Sequence, residues 1–523
     1  MADAVAVRTT PVREIRAFWR VVQAPPSLLK RLEPFYYVAI TLAIGGPFVY
    51  GTASSALAEV ATPRTVATWG PALALAGLLA LVRWGAVQGP VIFSVADVAQ
   101  LLGAPLRRAE LVLGRLARGL LWGAGGAAVV AAIALIGIAG HHRSVPGGRA
   151  AAFVAAVALL GVLGMAGASL VQGSRGWDRA TRLAGWPVLA AAAGLVVLGS
   201  SGATGRSVAL WSGPWGWAVA PVAAGRAWPL APVLLAVATA GAVGLALARR
   251  GRCPTERHML RAEARGGAVA ALYSFNARYV GRSLRAVSAG PTAGRGSGLR
   301  APRSPRLAIL WRDAVAALAA PQRLGEAIVL AAGGTVVCLL NAGHPAAVAG
   351  GALATYVGAS RLLEPLRAET DRPNRVRVLL REPMGRVLTQ HAVLPALVVL
   401  AAASAATAGV AIAGALPRHG GAIALLAVAA TPSVTLCAAL SSRRGGQMPT
   451  SLMSVTIADT TGMSGGIIVG WIVAWPLGAV ALGTVPVSVV AARGTHALPT
   501  FVLLLAVAPA ALVTALGWER FAP

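Results

Sequence analysis

The sequence predicts an all-α polytopic membrane protein of about twelve transmembrane helices, built as two parallel six-helix repeats with cytoplasmic N- and C-termini. Three observations carry that expectation. Of the 523 residues 57% are hydrophobic and only 12% are charged, against about 25% charged in soluble domains. Apolar stretches of about 20 residues recur along the chain. Arginines gather in alternate connections between those stretches.

The composition also sets the style of packing. Aromatics are 5% of the chain and glycine occurs 62 times. Small residues let membrane helices approach closely. Stretches such as that carrying Gly161, Gly164 and Gly167 read as faces of this kind. So much apolar material excludes a disordered chain. The net charge is +29, with 46 basic and 17 acidic residues. In a soluble domain that excess would point to nucleic acid. Here it reads as the cationic loops that hold a membrane protein in one orientation, and no nucleic-acid partner is expected. Lys30 is the single lysine.

In the first half the spans fall near 36–58, 66–82, 119–140, 150–171, 183–199 and 229–248. In the second they fall near 324–341, 346–360, 388–415, 422–440, 460–483 and 498–517. With the N-terminus inside, 39 of the 46 basic residues lie on the inner side. Arg64, Arg143, Arg149, Arg206, Arg226, Arg418 and Arg493 make up the outer set. The first stretch begins after about 35 mixed residues, too late for a usual signal peptide. Trp211, Trp215, Trp217 and Trp228 read as an interfacial aromatic belt.

These boundaries give a cytoplasmic amphipathic segment (1–35), a first membrane half (36–248), a basic flexible linker (249–308), a second amphipathic segment (309–323), a second half (324–517) and a tail (518–523). The halves repeat landmarks in order. Phe18-Trp19-Arg20 and Leu310-Trp311-Arg312 precede the first span of each, as surface helices with Trp at headgroup level and Arg facing phosphate or a partner. Leu101-Leu102-Gly-Ala-Pro105-Leu-Arg-Arg108 matches Leu379-Leu380-Arg-Glu-Pro383-Met-Gly-Arg386, both Leu-Leu-x-x-Pro-x-x-Arg. Each Leu pair reads as an apolar knob, preceded by an acid, Asp97 or Asp371. Pro229 and Pro499 each stand five residues before Leu-Leu-Ala-Val-Ala.

Several chemistries find no residues. Cys253, Cys338 and Cys437 are far apart, and His141-His142 has no third ligand, so no metal is expected. A P-loop needs a Lys after its glycines, and Lys30 has no such setting. The chain is therefore not expected to be an enzyme by itself, nor to hold a cofactor. Asp459 and Glu326 are the acids within spans, both read as paired with Arg near inner ends. Glu364, Glu369, Asp371 and Glu382 read as solvated ion pairs, and His391 as a packing or capping residue.

The order of Trp-Arg amphipathic segment, two spans, Leu-Leu-x-x-Pro-x-x-Arg turn and long third span resembles the permease subunits of type-2 ATP-binding cassette exporters. That resemblance implies a translocation path driven by a separate cytoplasmic ATP-binding subunit in two copies, with ATP and Mg²⁺ held by that partner. It implies two coupling helices, Leu101, Leu102, Pro105 and Arg108 in the first half and Leu379, Leu380, Pro383 and Arg386 in the second. Trp19, Arg20, Trp311 and Arg312 would form the interfacial helices. The setting would be a bacterial inner membrane, among lipids, with a hydrophobic or amphipathic substrate. The chain departs from the family in fusing two halves and in lacking a hydroxyl after Pro105 and Pro383. A major-facilitator carrier shares the twelve-span plan, but its Gly-x-x-x-Asp-Arg-x-Gly-Arg-Arg loop is absent. A non-transporting scaffold is the third reading.

Overall fold

The computed structural model describes residues 62–102, 104, 108–139, 145–273, 302–304, 307–370, 384–443 and 464–518. Among them the chain is helical, with no strand. Eight helices are long and apolar enough to cross a membrane, ten if each of two bent pairs is one span. Every expected stretch from 66–82 onward overlaps a helix. The stretch 36–58, with Trp19 and Arg20, lies outside the described residues. The chain divides into two compact units.

In the first unit, α1 (Pro63–Val87) opens on Thr62, whose hydroxyl accepts from the Thr65 N–H at 3.1 Å. That bond satisfies one of the free donors of the first turn. Helices α2 (Arg108–Ala139) and α3 (Gly147–Gly173) follow. Half of the apolar window of α3 is buried, against 22% for α1 and 17% for α2. So α3 is the most enclosed of these three helices. Glycine sets the spacing there. A Cβ on Gly161 would meet the Gly123 carbonyl oxygen at 2.3 Å, and one on Gly85 the Ala168 oxygen at 2.1 Å. Gly161, Gly164 and Gly167 of α3 are thus packing contacts.

Next come α4 (Arg175–Leu183) and α5 (Gly185–Ser200, whose Gly185–Ala190 counts with the second unit), bent by 45° at their junction. The short α6 (Ala203–Trp211) and α7 (Pro214–Ala223) precede α8 (Leu230–Ala248), which packs on α3. Then α9 (Thr255–Tyr273) occupies part of the stretch expected as linker. His258, Arg261, Ala262 and Ala268 are buried along it, at the spacing of one helical face.

The second unit contains α10 (Ala308–Ala319), the expected amphipathic segment, and α11 (Pro321–Leu340). Helix α12 (Pro345–Leu362) returns along α11, with Gly351 against Gly334 so closely that a Cβ on the latter would lie 2.4 Å from the Gly351 oxygen. A 62° bend leads into α13 (Glu364–Thr370). The remaining helices are α14 (Met384–Ile412), α15 (Gly420–Arg443), α16 (Ser464–Arg493) and α17 (Leu498–Trp518). With 72% of its window buried, α15 is the centre here, packed by α12, α14, α16 and α17.

Candidate functional site

The connection between α1 and α2 is held at two places within residues 88–102. Gly89 has φ +71°, and a Cβ there would meet the Gln172 side-chain carbon at 2.3 Å. Only glycine meets both demands. Gln172, at the end of α3, then grips the chain. Its amide donates to the carbonyls of Gln88 (3.1 Å) and Val91 (2.7 Å), and its oxygen accepts from the Val91 N–H at 3.2 Å. Arg261 of α9 reinforces that grip, donating to the carbonyls of Gln172 (3.1 Å) and Gly85 (3.3 Å). Carbonyls near the ends of two spans thereby find a cation.

Beyond the grip, Val91 and Phe93 bury their side chains. Ser94 caps a helical turn, Val95–Asp97, with reciprocal bonds of 3.0 Å between Ser94 and Asp97. A five-residue π turn, Val98–Leu102, follows it. Val98 and Leu102 lie one turn apart and both enter the core formed with Leu111, Val112 and Leu116. Asp97 pairs with Arg115 of α2 at 3.1 Å. The Arg115 guanidinium stacks over the Phe93 ring, 4.0 Å from its centre, and donates to the Ile92 carbonyl. Burial works to raise the pKa of Asp97, but hydrogen bonds from Ser94 and Arg115 outweigh it and hold the carboxyl below its ordinary range.

Phe93 in turn meets His258 of α9 edge-on, with ring centres 5.0 Å apart. Burial first, then the charges of Arg261, Arg108 and Arg115, push the His258 pKa down to about 4. The imidazole is neutral at pH 7.

The expected coupling residues distribute as follows. Leu102 is buried and Leu101 is partly packed against the same core, so the Leu pair anchors the turn rather than standing out as a knob. The exposed side chains are Ser94, Val95, Ala96, Ala99 and Gln100. Arg108 is exposed at the start of α2 and its guanidinium lies 3.5 Å from the Leu102 carbonyl. Pro105, Leu379, Leu380 and Pro383 lie outside the described residues. Arg386 is exposed in the first turn of α14. The Ser-x-x-Asp pattern at 94–97 was the overlooked signal in the sequence.

The second unit holds a different arrangement around Trp311 and Arg312. Arg312 reaches Glu369 of α13 at 2.6 Å and the His391 Nε2 of α14 at 3.1 Å. His391 Nδ1 lies 2.6 Å from the Asp313 carboxylate. Guanidinium only donates, so Nε2 accepts and Nδ1 donates to Asp313. Asp313, Glu369 and His391 are all buried. Arg312, expected to face phosphate or a partner, is thus engaged by groups of its own unit. Glu369 is a buried ion pair rather than a solvated one. Trp311 has its indole N–H buried, without an acceptor among the described residues. Glu326, at the start of α11, pairs with Arg361 at 3.6 Å, as the sequence suggested for it.

Among the described residues no group of three or more His, Cys, Asp or Glu is placed to hold a metal ion. Comparison of the chain with protein-family models, with curated proteins and with solved structures gives no match.

Proposed function

We propose that the chain is the translocating permease of an ATP-binding cassette exporter, and that residues 94–102 receive the stroke of a separate ATPase. One observation carries the reading. The connection between α1 and α2 is clamped by Gln172 at one end and by Asp97 and Arg115 at the other, yet presents Val95, Ala96, Ala99 and Gln100 outward. A lever needs that combination of a stiff seat and an open contact face. A push on the π turn is delivered through Val98 and Leu102 to α2, and through Gln172 to α3, the centre of its unit.

ATP and Mg²⁺ belong to the partner in this reading. So does the finer layout of twelve spans in two repeats with both termini inside. Its support is that α3 and α15 correspond to the fourth expected span of each half and are the most buried of the eight unbent spans among the described residues, each in its unit. A hydrophobic or amphipathic cargo suits a chain whose described spans carry so few charges.

Attachment tests the proposal. Ala99→Arg places a long cation on the contact face without touching the buried Leu102. It is expected to abolish co-purification of an ATP-binding subunit while leaving the permease folded. Undiminished co-purification would reject the site.

A second reading, an ion-coupled carrier, draws on the buried His391–Asp313 pair. Its position at the start of α14 suits an anchor for α10 better than a midplane relay. Transport that collapses with the proton gradient at constant ATP would favour the carrier.

A further inference from the structure

A pocket of about 220 Å³ opens where three spans of the first unit terminate. Val91 just beyond α1, Gly173 at the end of α3 and Ala246 near the end of α8 all line it. It therefore sits at the level where hydrocarbon gives way to headgroups. It is distinct from the exposed face of residues 94–100, none of which lines it.

Its polar side is cationic. Arg249, Arg250 and Arg252 line the pocket, and no acidic side chain does. None of the three makes an ion pair or side-chain hydrogen bond with any described residue. Gly251, with φ +83°, turns the chain between them, and the Arg252 N–H closes the turn on the Arg249 carbonyl at 3.3 Å. A side chain at 251 would strain that turn, so glycine keeps three guanidinium groups at one mouth. His258 also lines the pocket, is only 5% exposed, and has no hydrogen-bond partner among the described residues. The wall behind is apolar, with Val112, Leu116 and Leu170.

Three unpaired cations, an unpartnered buried imidazole and an apolar wall at one membrane boundary fit one ligand chemistry. We propose that this pocket binds a phosphate ester, supplied by the headgroup of an anionic phospholipid. Guanidinium forks match phosphate oxygens, and basic pockets between membrane helices hold anionic headgroups. The volume falls below the roughly 300–1,000 Å³ of drug-sized sites, which suits a headgroup better than a whole nucleotide. The site stands whether or not the chain couples to an ATPase.

The test uses delipidated full-length protein in neutral detergent, read by thermal unfolding and native mass spectrometry. The probes are short-chain phosphatidylglycerol, phosphatidylcholine and inorganic phosphate. Phosphatidylglycerol is expected to raise the unfolding midpoint and persist as an adduct, and phosphatidylcholine to do neither. Arg249→Gln/Arg250→Gln/Arg252→Gln is expected to weaken phosphatidylglycerol about tenfold or more. Arg175→Gln/Arg179→Gln/Arg265→Gln, which removes exposed arginines outside the pocket, should leave it unchanged. If the pocket triple variant fails to fold, Arg250→Gln alone carries the measurement, with a loss of about fivefold. Protection by inorganic phosphate alone, lost in the pocket variants, would keep the phosphate chemistry and assign a soluble source. Equal binding in parent and pocket variants, or equal loss in both triple variants, overturns the site.

Discussion

The α1–α2 connection and the Arg312 cluster descend from the same kind of sequence signal, a basic and apolar motif beside a span, yet they hold charge in opposite ways. In the first unit the ion pair of Asp97 and Arg115 sits at the rim, with side chains 32% and 26% exposed. Buried work there is done by the Gln172 amide, the His258 ring and the Arg261 guanidinium, which donates to backbone carbonyls. In the second unit the charges themselves are inside: Asp313 and Glu369 are buried, with His391 between Asp313 and Arg312. A rim pair is screened and adjustable. A buried network is all-or-none, because removing one member strands the others. The first arrangement suits a surface that must meet and release a partner. The second suits a joint that must not move, fixing α10 to α13 and α14.

That contrast is broken or sharpened first by Arg312→Met. The substitution keeps an apolar stem and removes the cation that pairs with Glu369 and donates to His391. The cost expected is about 3 kcal/mol, the lower end for a broken buried pair, since Arg312 is itself 40% exposed. Thermal or denaturant unfolding in detergent reads it. Adding Glu369→Met should recover most of the loss, because the stranded carboxylate goes with it. A double variant as unstable as the single one would show that the network matters through something other than its charges.

The sequence made the apolar helices readable but not this contrast. Apolar runs are a one-dimensional property, so every expected stretch from 66–82 onward landed on a helix. The burial of charge is not. Glu369 and His391 looked like loop and packing residues because nothing in the order of residues says that α10 returns to meet them. The arginine-rich 249–308 stretch hid α9, whose buried face is built from His258, Arg261 and Ala262, residues that a hydropathy scan counts as polar or neutral. The turn at 94–102 was found by its Leu-Leu pair, but with the wrong face outward. Val98 and Leu102, four apart, make the buried side of the π turn, leaving Ala99 and Gln100 exposed between them.

Titration sharpens the first region next. His258 has an ordinary pKa of 6.5 and a folded value of about 4. Above 6.5 both states are neutral and its burial is undisturbed. As pH falls from 6.5 to 4 the unfolded chain takes up a proton that the folded one refuses, so stability falls. The loss expected is of the order of 2–3 kcal/mol across that window. His258→Phe keeps the edge contact with Phe93 and should flatten this limb of the unfolding profile. An unchanged acid limb would place the titrating group elsewhere.

The smallest effect is expected from Asp97→Asn, and it is the most discriminating. The amide oxygen can still accept from the Ser94 N–H, so the cap survives in part. Only the charge facing Arg115 is removed. A partly exposed pair of this kind is worth less than about 1 kcal/mol, and the Arg115 guanidinium keeps its seat over Phe93 and on the Ile92 carbonyl. Unfolding should therefore barely shift, while amide exchange across residues 94–102 quickens as one end of the clamp loosens. If the turn is a lever, coupling to the ATPase weakens with that loosening even though the fold holds. A loss as large as that of Arg312→Met would mean that the turn depends on its charge as the second unit does, and the distinction between an adjustable rim and a fixed joint would fail.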